Sequence, residues 1–290
     1  MKGIILVNSR YETPNTVYQA ERMKEELEKL SLDVSVMKNS GDLCYIKEGK
    51  IEKPDFDFCI YFDKDPYVPE AMARAGVRVF NSPDSIRICD DKMLTHLALS
   101  SAVRMPDTLS GTFTYQKGEV SEKDIFSVEE RFIYPVVVKL NNSSLGAGVR
   151  LAKNREELRS ILAEFSSKPY LIQEFVDSSV GVDYRIIVVG GKYVCGMRRK
   201  SEKDFRSNVE LGGTGEKVDI PQSFIELAQK SAQILNLDYC GVDVLSDKGK
   251  PVLCEVNSNA FFGGVERVTG VNVASEYAKY VKKELENGKK

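Results

Sequence analysis

The sequence predicts an α/β N-terminal part followed by an α+β remainder, and three observations carry that reading. Strand and helix signals alternate through the first eighty residues, strands and helices segregate from about residue 107, and two hairpin patterns occupy the last third. With 290 residues, 42% hydrophobic and 29% charged, the chain can bury one large core or two to three smaller ones. That composition excludes disorder, a collagen-like chain and a small disulfide scaffold.

Residues 3–7 form a continuous apolar strand, and Val17, Ala20, Met23, Leu27 and Leu30 then fall three or four apart, the spacing of an amphipathic helix. Val34 and Val36 alternate in a second strand, 58–62 make a third, and 77–80, after a short helix, a fourth. Asn81-Ser82-Pro83 closes this unit, and one helix over about 85–101 carries Lys92 and His96, with His96 read as exposed and non-catalytic. After Arg104-Met105-Pro106 comes a polar region to Arg131, then strands at 136–140 and 149–152 and a helix whose Asn154-x-x-Glu157 start resembles a capping box. A strand at 171–176 follows. Residues 184–189 and 192–198 pair through Gly190-Gly191, a helix spans 223–235, a second hairpin joins 241–245 to 251–257, and a final helix covers about 273–285.

Charge and composition narrow the function. Forty-one Lys and Arg against 43 Asp and Glu give a net charge of −2, so no global field recruits nucleic acid or an anionic membrane. The N-terminus has only a short apolar run, too brief for a signal-peptide core, and no stretch is of membrane length, so a cytoplasmic protein is expected. The six cysteines show no C-x-x-C spacing and read as reduced, buried thiols. One histidine and no tryptophan leave the chemistry to carboxylates, amides, Lys and Arg.

The second hairpin is the most informative element. Asp243 lies roughly across from Glu255, and Glu255 and Asn257 share a face by the period of two, while Val242, Val244, Cys254 and Val256 are read onto the other face. Such an all-oxygen set suits Mg²⁺; ordinary surface acids on an exposed hairpin are the alternative. Lys139 in an apolar strand needs an anionic partner, for which phosphate is a natural choice. The loop 141–149, with Gly146 and Gly148, offers backbone N–H groups to phosphates, or is simply a hairpin turn. Gln173-Glu174-Phe175-Val176 can present backbone groups and apolar cover to an adenine edge. Arg198, Arg199, Lys200, Lys203 and Arg206 read equally well as a solvated basic loop.

Taken together, these pieces resemble the ATP-grasp superfamily, and within it the RimK type of carboxylate–amine ligase, with LysX of lysine biosynthesis a close relative. The resemblance rests on 81–83 through Asp91-Lys92, Val138-Lys139-Leu140, Gln173 to Val176, Gly181-Val182-Asp183-Tyr184-Arg185, Arg198-Arg199, Asp204 to Asn208, Gly241 to Val244, Glu255 to Ser258 and Val268 to Val271. It implies an ATP-grasp fold: an N-terminal pre-ATP-grasp α/β domain (1–104), a small central lid (105–176) and a C-terminal antiparallel-sheet catalytic domain (177–290). It further implies that Lys92 and Lys139 contact ATP phosphates under the 141–149 loop, Glu174 and Phe175 meet adenine, and Asp183 lies on the ribose side. Arg206, Ser207 and Asn208 would sit near the triphosphate and the reacting carboxylate, with Arg185 and Arg199 as neighbours. Asp243, Glu255 and Asn257 would hold a pair of Mg²⁺ ions, with Mn²⁺ as an alternative.

The implied reaction joins a carboxylate to an amine or amino acid, free or borne on a peptide or carrier protein, through an acyl phosphate with release of ADP and phosphate; homodimers or homotetramers are expected by the same resemblance. A nucleotide-binding regulatory module and an ATP-grasp phosphotransferase are the competing readings. The chain departs from many RimK-type relatives at Ser258-Asn259-Ala260-Phe261-Phe262-Gly263-Gly264 and at Asp63-Lys64-Asp65-Pro66-Tyr67, positions where the resemblance implies that substrate is chosen. Lys64 either pairs with a substrate carboxylate or offsets its acidic neighbours, the second being favoured.

Overall fold

The computed structural model describes residues 1–115, 119–207 and 212–288. Its first layer is built from β1 (Lys2–Asn8), α1 (Pro14–Lys29), β2 (Asp33–Asn39), a minimal hairpin of β3 (Ile46–Lys47) and β4 (Lys50–Ile51), β5 (Phe58–Phe62), α2 (Tyr67–Arg74) and β6 (Arg78–Phe80). The strands β2-β1-β5-β6 form a parallel sheet. Helix α1 starts where the sequence supplies a reciprocal cap: Thr13 Oγ1 accepts from Thr16 N at 3.2 Å and Thr16 Oγ1 accepts from Thr13 N at 2.8 Å. Chain order reverses between β1 and β5, so a crevice opens at their carboxyl ends, beside Asn8 and Asp63.

The helix expected over 85–101 is two helices, α3 (Pro83–Asp90) and α4 (Lys92–Leu99). Asp91 between them is extended, and its Oδ1 accepts from Met93 N at 2.8 Å and Leu94 N at 3.0 Å, so this residue caps α4 instead of continuing α3. His96, expected exposed, is buried, because α4 packs beneath the strand that carries Gln173.

The second layer comprises β7 (Thr108–Ser110), α5 (Glu122–Glu129), β8 (Val136–Leu140), β9 (Val149–Ala152), α6 (Arg155–Phe165) and β10 (Tyr170–Glu174). Its antiparallel sheet, β7-β10-β8-β9, has a core of its own in which Ile125, Val128, Leu158 and Leu162 cover Val136, Val138 and Ile172. Asn154 caps α6 as the sequence indicates, accepting from Glu157 N at 2.9 Å; the Glu157 carboxylate returns to Lys153 N rather than to Asn154.

The third layer runs β11 (Val182–Val189), β12 (Lys192–Lys200), β13 (Thr214–Glu216), α7 (Gln222–Ile234), β14 (Tyr239–Asp247), β15 (Lys250–Asn257), α8 (Gly263–Thr269) and α9 (Val273–Asn287). Strand order is β13-β12-β11-β14-β15, antiparallel throughout. Gly190 and Gly191 turn the first hairpin at φ 55° and 72°, which a residue with a Cβ rarely adopts. One face of this sheet buries Ile186, Val242 and Val244 against α7. The other face shares a core with the first layer: Met23, Leu27 and Phe58 pack with Tyr239, Tyr277 and Val281.

Asn81 staples the first and third layers. Its Nδ2 donates to Tyr239 O at 2.8 Å and Ser258 O at 2.9 Å, and its Oδ1 accepts from Tyr239 N at 3.0 Å. Asn81→Ala is expected to cost about 2–4 kcal/mol, because three buried backbone groups lose their partner. Urea unfolding measures this; a loss below about 0.5 kcal/mol would mean that water replaces the amide without penalty.

Candidate active site

The second and third sheets face each other across a slot of about 110 Å³. Val137 and Val149 wall it from the second layer, Val182 and Leu245 from the third, with Phe175 stacked edge-on to Phe205 at 6.2 Å. Lys92, Lys139, Gly146, Glu174, Phe175, Asp183, Arg199, Arg206, Ser207, Asp243 and Glu255 all line it, so the structure gathers residues from nine separate stretches of sequence. Gly148 stands back from the slot: its carbonyl accepts from Leu140 N at 2.8 Å, and a Cβ there would meet Ser143 Cβ at 2.6 Å. Asn208 lies outside the described residues.

Lys92 is the first residue of α4, and its Nζ donates to Ser143 O at 2.7 Å and lies 3.3 Å from Glu255 Oε1. Arg206 Nη1 donates to Gly146 O at 2.5 Å while its remaining nitrogens hold Asp204. The 141–149 loop is therefore tied at both ends by cations. Lys139 Nζ sits 4.0 Å from Cys254 Sγ. Cys254, expected on the opposite face, reaches the slot because a bulge sets Asp243 against Glu255 but Val244 against Leu253. Burial pushes its thiol up to about 11, so it adds no negative charge beside Lys139. Glu174 N donates to Asp107 O at 3.1 Å and its Oε1 accepts from Asp107 N at 3.1 Å, so these groups hold the end of β10 and are not free for a ligand.

Under the slot lies a buried chain of charges. Asp183 and Arg199 face each other across β11 and β12, Arg185 and Asp243 across β11 and β14. Arg199 donates to Asp183 at 2.7 and 2.5 Å and its Nη2 is also 2.9 Å from Asp243 Oδ2; Arg185 Nη2 meets the same oxygen at 2.9 Å and its Nε holds Oδ1. Gly241 leaves room for this, since a Cβ there would come within 3.2 Å of Arg185 Cδ. Burial alone raises the Asp243 pKa, but Arg185 and Arg199 outweigh it and hold the carboxyl below its ordinary value.

A second cavity of about 380 Å³ opens between the first and third layers. Asn8, Asp63 and Lys64 come from the carboxyl ends of β1 and β5, Asn15 and Thr16 from the first turn of α1, and Arg185, Arg199, Glu255, Asn257, Asn259 and Arg267 from the third layer. Glu255, Arg199 and Leu145 line both cavities, so the two meet there. Lys64 pairs with Asp90 at 3.1 Å and donates to Ser144 Oγ at 2.8 Å, and so offsets an acid from α3 rather than its sequence neighbours. Arg267 is the one lining cation without a carboxylate partner among the described residues.

Of the three expected metal ligands, Glu255 and Asn257 face the junction, and Asn257 Nδ2 is buried without a hydrogen-bond partner. An amide and a carboxylate so placed fit a hard cation in donor type. Asp243 stands beside Glu255 in register, but both of its oxygens are engaged by arginines. Among the described residues no group of three or more His, Cys, Asp or Glu side chains is gathered around a metal position. Sequence reasoning missed Asn8, Asn15 and Arg267; a polar residue ending an apolar strand was the only local signal, at Asn8.

Two facing sheets over a phosphate-sized, lysine-lined slot define the ATP-grasp fold, and solved structures of that fold superpose on the chain. The RimK domain protein of Sphaerobacter thermophilus matches with a TM-score of 0.71 at 18% identity, over 96% of this chain and 99% of that one. The chain belongs to the RimK-like ATP-grasp domain family, whose model matches residues 90–281. A probable alpha-L-glutamate ligase of Maridesulfovibrio salexigens is 39% identical over 158 residues, 53% of this chain and 52% of that one. N-acetylaspartylglutamate synthase A of Homo sapiens is 35% identical over 229 residues, 78% of this chain and 57% of that one. The chain thus spans about half the length of these curated relatives.

The charge chain sets a pH-dependent expectation. Asp243, with its pKa depressed, contributes stability that is complete above about pH 4 and is lost as pH falls through the lowered folded value. Arg199→Met strips Asp183 of its partner and should cost about 3–5 kcal/mol at neutral pH. That deficit should shrink as pH falls below about 4, where the stability that Asp243 draws from its arginines is itself lost. Urea unfolding at neutral pH and below about pH 4 decides it, and an equal deficit at each would remove the electrostatic explanation.

Proposed function

We propose that the protein is an ATP-dependent carboxylate–amine ligase, with the slot taking the nucleotide and the second cavity the acid and the amine. The observation that carries this is the meeting of the two cavities at Glu255, Arg199 and Leu145, where a terminal phosphate and a substrate carboxylate would come together. In the first step a carboxylate oxygen bonds to the γ-phosphorus, the β–γ bridging P–O bond breaks and ADP leaves. In the second an amine attacks the acyl carbon of the acyl phosphate, the C–O bond breaks, phosphate leaves and the nitrogen loses a proton. Both steps crowd anionic oxygens, which Lys92, Lys139 and Arg206 in the slot and Arg199 at the junction would neutralise. Glu255 and Asn257 would hold Mg²⁺, with Asp243 joining when its arginines turn to anionic substrate; the metal supplies charge neutralisation of the phosphates.

The slot is smaller than the roughly 300–1,000 Å³ of ordinary small-molecule sites, so nucleotide entry requires the second layer, residues 105–176, to swing away from the third. Closure then keeps water from the acyl phosphate. Arg267, unpaired in the second cavity, favours a co-substrate with an additional carboxylate, in keeping with the acidic products implied by the names of the two relatives. The need for ATP supports a cytoplasmic setting for the reaction.

ADP release measured with Mg²⁺ATP over a panel of amino acids and dicarboxylates, with hydroxylamine to trap acyl phosphate, tests this reading. A carboxylate-dependent hydroxamate is expected; phosphorylated product that accumulates without amine would make the protein a phosphotransferase, and ATP binding without turnover a regulatory module. Lys139→Ala and Glu255→Gln should each abolish turnover with the fold intact by circular dichroism. Arg267→Ala should raise KM for the dicarboxylate about tenfold or more while kcat changes little, as loss of one charge-assisted hydrogen bond implies.

A further inference from the structure

Of the acidic side chains buried among the described residues, Glu26, Asp183, Asp238 and Asp243 each hold a cation: Glu26 meets Arg22 and Lys29, Asp183 and Asp243 meet Arg199, and Asp238 meets Arg78. Asp63, at the carboxyl end of β5, is as deeply buried and has no cation within ion-pair distance among the described residues. Its Oδ1 accepts from Asn8 Nδ2 at 3.0 Å and from Lys64 N at 2.8 Å, and its Oδ2 accepts from Asn39 Nδ2 at 2.8 Å. These neutral donors hold the carboxylate across the ends of β1, β2 and β5 but bring no positive charge to it. Lys64 Nζ pairs with Asp90 instead, and Arg10 borders an outer crevice with Asp63 without pairing with it. An ionised carboxylate offers about four acceptor positions, so one on Oδ2 stays open.

Asp63 lines the 380 Å³ cavity, and the other acid in that lining, Glu255, is engaged by Lys92. Of the lining cations, Lys64, Arg185 and Arg199 hold carboxylates, which leaves Arg267. The cavity therefore keeps one uncommitted charge of each sign. A buried anion without a counter-ion gains from any cation that reaches it, and a charge-assisted hydrogen bond is among the strongest that a protein makes. We infer that Asp63 is a specificity-determining residue that receives the amine co-substrate as its ammonium, so that the second cavity draws in a cationic nitrogen. Asp63 belongs to the segment 63–67 in which the chain departs from many RimK-type relatives, so the assignment is read from this chain and not carried over. It rests on the second cavity being the amine site of a ligase, and it concerns how the amine is held rather than how the acid is activated.

The acid and the amino acid of the panel above that give most amide serve as probes, beside hydroxylamine, a nucleophile uncharged at neutral pH. Asp63→Asn should raise KM for the amino acid at least about tenfold, while KM for hydroxylamine in hydroxamate formation changes less than about threefold. A carboxylate that only clips the strand ends would weaken both nucleophiles alike, and that result overturns the inference. Should Asp63→Asn fail to fold, the unmodified protein decides. Its KM for the amino acid should stay level between about pH 6 and 7, where the amine is almost wholly ammonium, whereas a fall of about tenfold would mean that the free amine is bound and would overturn the inference. Hydroxamate without amide from any amino acid of the panel overturns it too and leaves carboxylate activation standing. Absence of both products overturns the inference together with the ligase reading.

Discussion

Four charges threaded through the third sheet, Asp183, Arg199, Asp243 and Arg185, constrain everything built around them. An unpaired ion at this depth would cost several kcal/mol, so each strand must present its charge to the partner on the next. The alternate face of the same strands holds Ile186, Val242 and Val244 in the core. A slip of one residue would therefore bury the charges in hydrocarbon and expose the hydrocarbon to the slot. Register is fixed twice over, by apolar packing on one side and by ion pairs on the other, and the bulge that brings Cys254 to the slot is accommodated between these two anchors.

This arrangement explains how a chain of nearly neutral net charge gathers four cations, Lys92, Lys139, Arg199 and Arg206, around one slot. Lys92 enters it because Asp91 starts a new helix there, Lys139 because it ends an apolar strand, and Arg206 because it holds Gly146 across the slot. None of these cations depends on the overall field of the protein. Each is aimed by a local backbone feature, and their charges add only where the sheets face one another.

Much of the fold was legible in the sequence where period and burial coincide. The stripe Ala20, Met23, Leu27 announced α1, and the hairpin reading that set Asp243 across from Glu255 matches the register. What was not legible depended on distant neighbours. His96 looks like a solvated residue four places after a lysine, and only its packing against Gln173 and Met105 makes it buried. The three-residue strand β7 and helix α5 lie in a polar stretch without clear alternation. The bulge at Cys254 inverts the face of one residue with no local signal, and Arg267 lies back along α8 over its first two residues, Gly263 and Gly264, where a Cβ would stand 3.5 and 3.9 Å from its guanidinium.

The first and third layers share one hydrophobic core and are stapled by Asn81, whereas the second layer has a core of its own. All the walls of the 380 Å³ cavity except Ser144 and Leu145 therefore belong to one continuously packed body, and the 110 Å³ slot lies between that body and the separately cored second layer. Side-chain replacements recut that cavity one group at a time, because the backbone around it cannot yield without breaking the shared core. Of the second layer only the 141–149 loop, through Ser144 and Leu145, reaches that cavity, so the rest of the layer can vary without altering its lining.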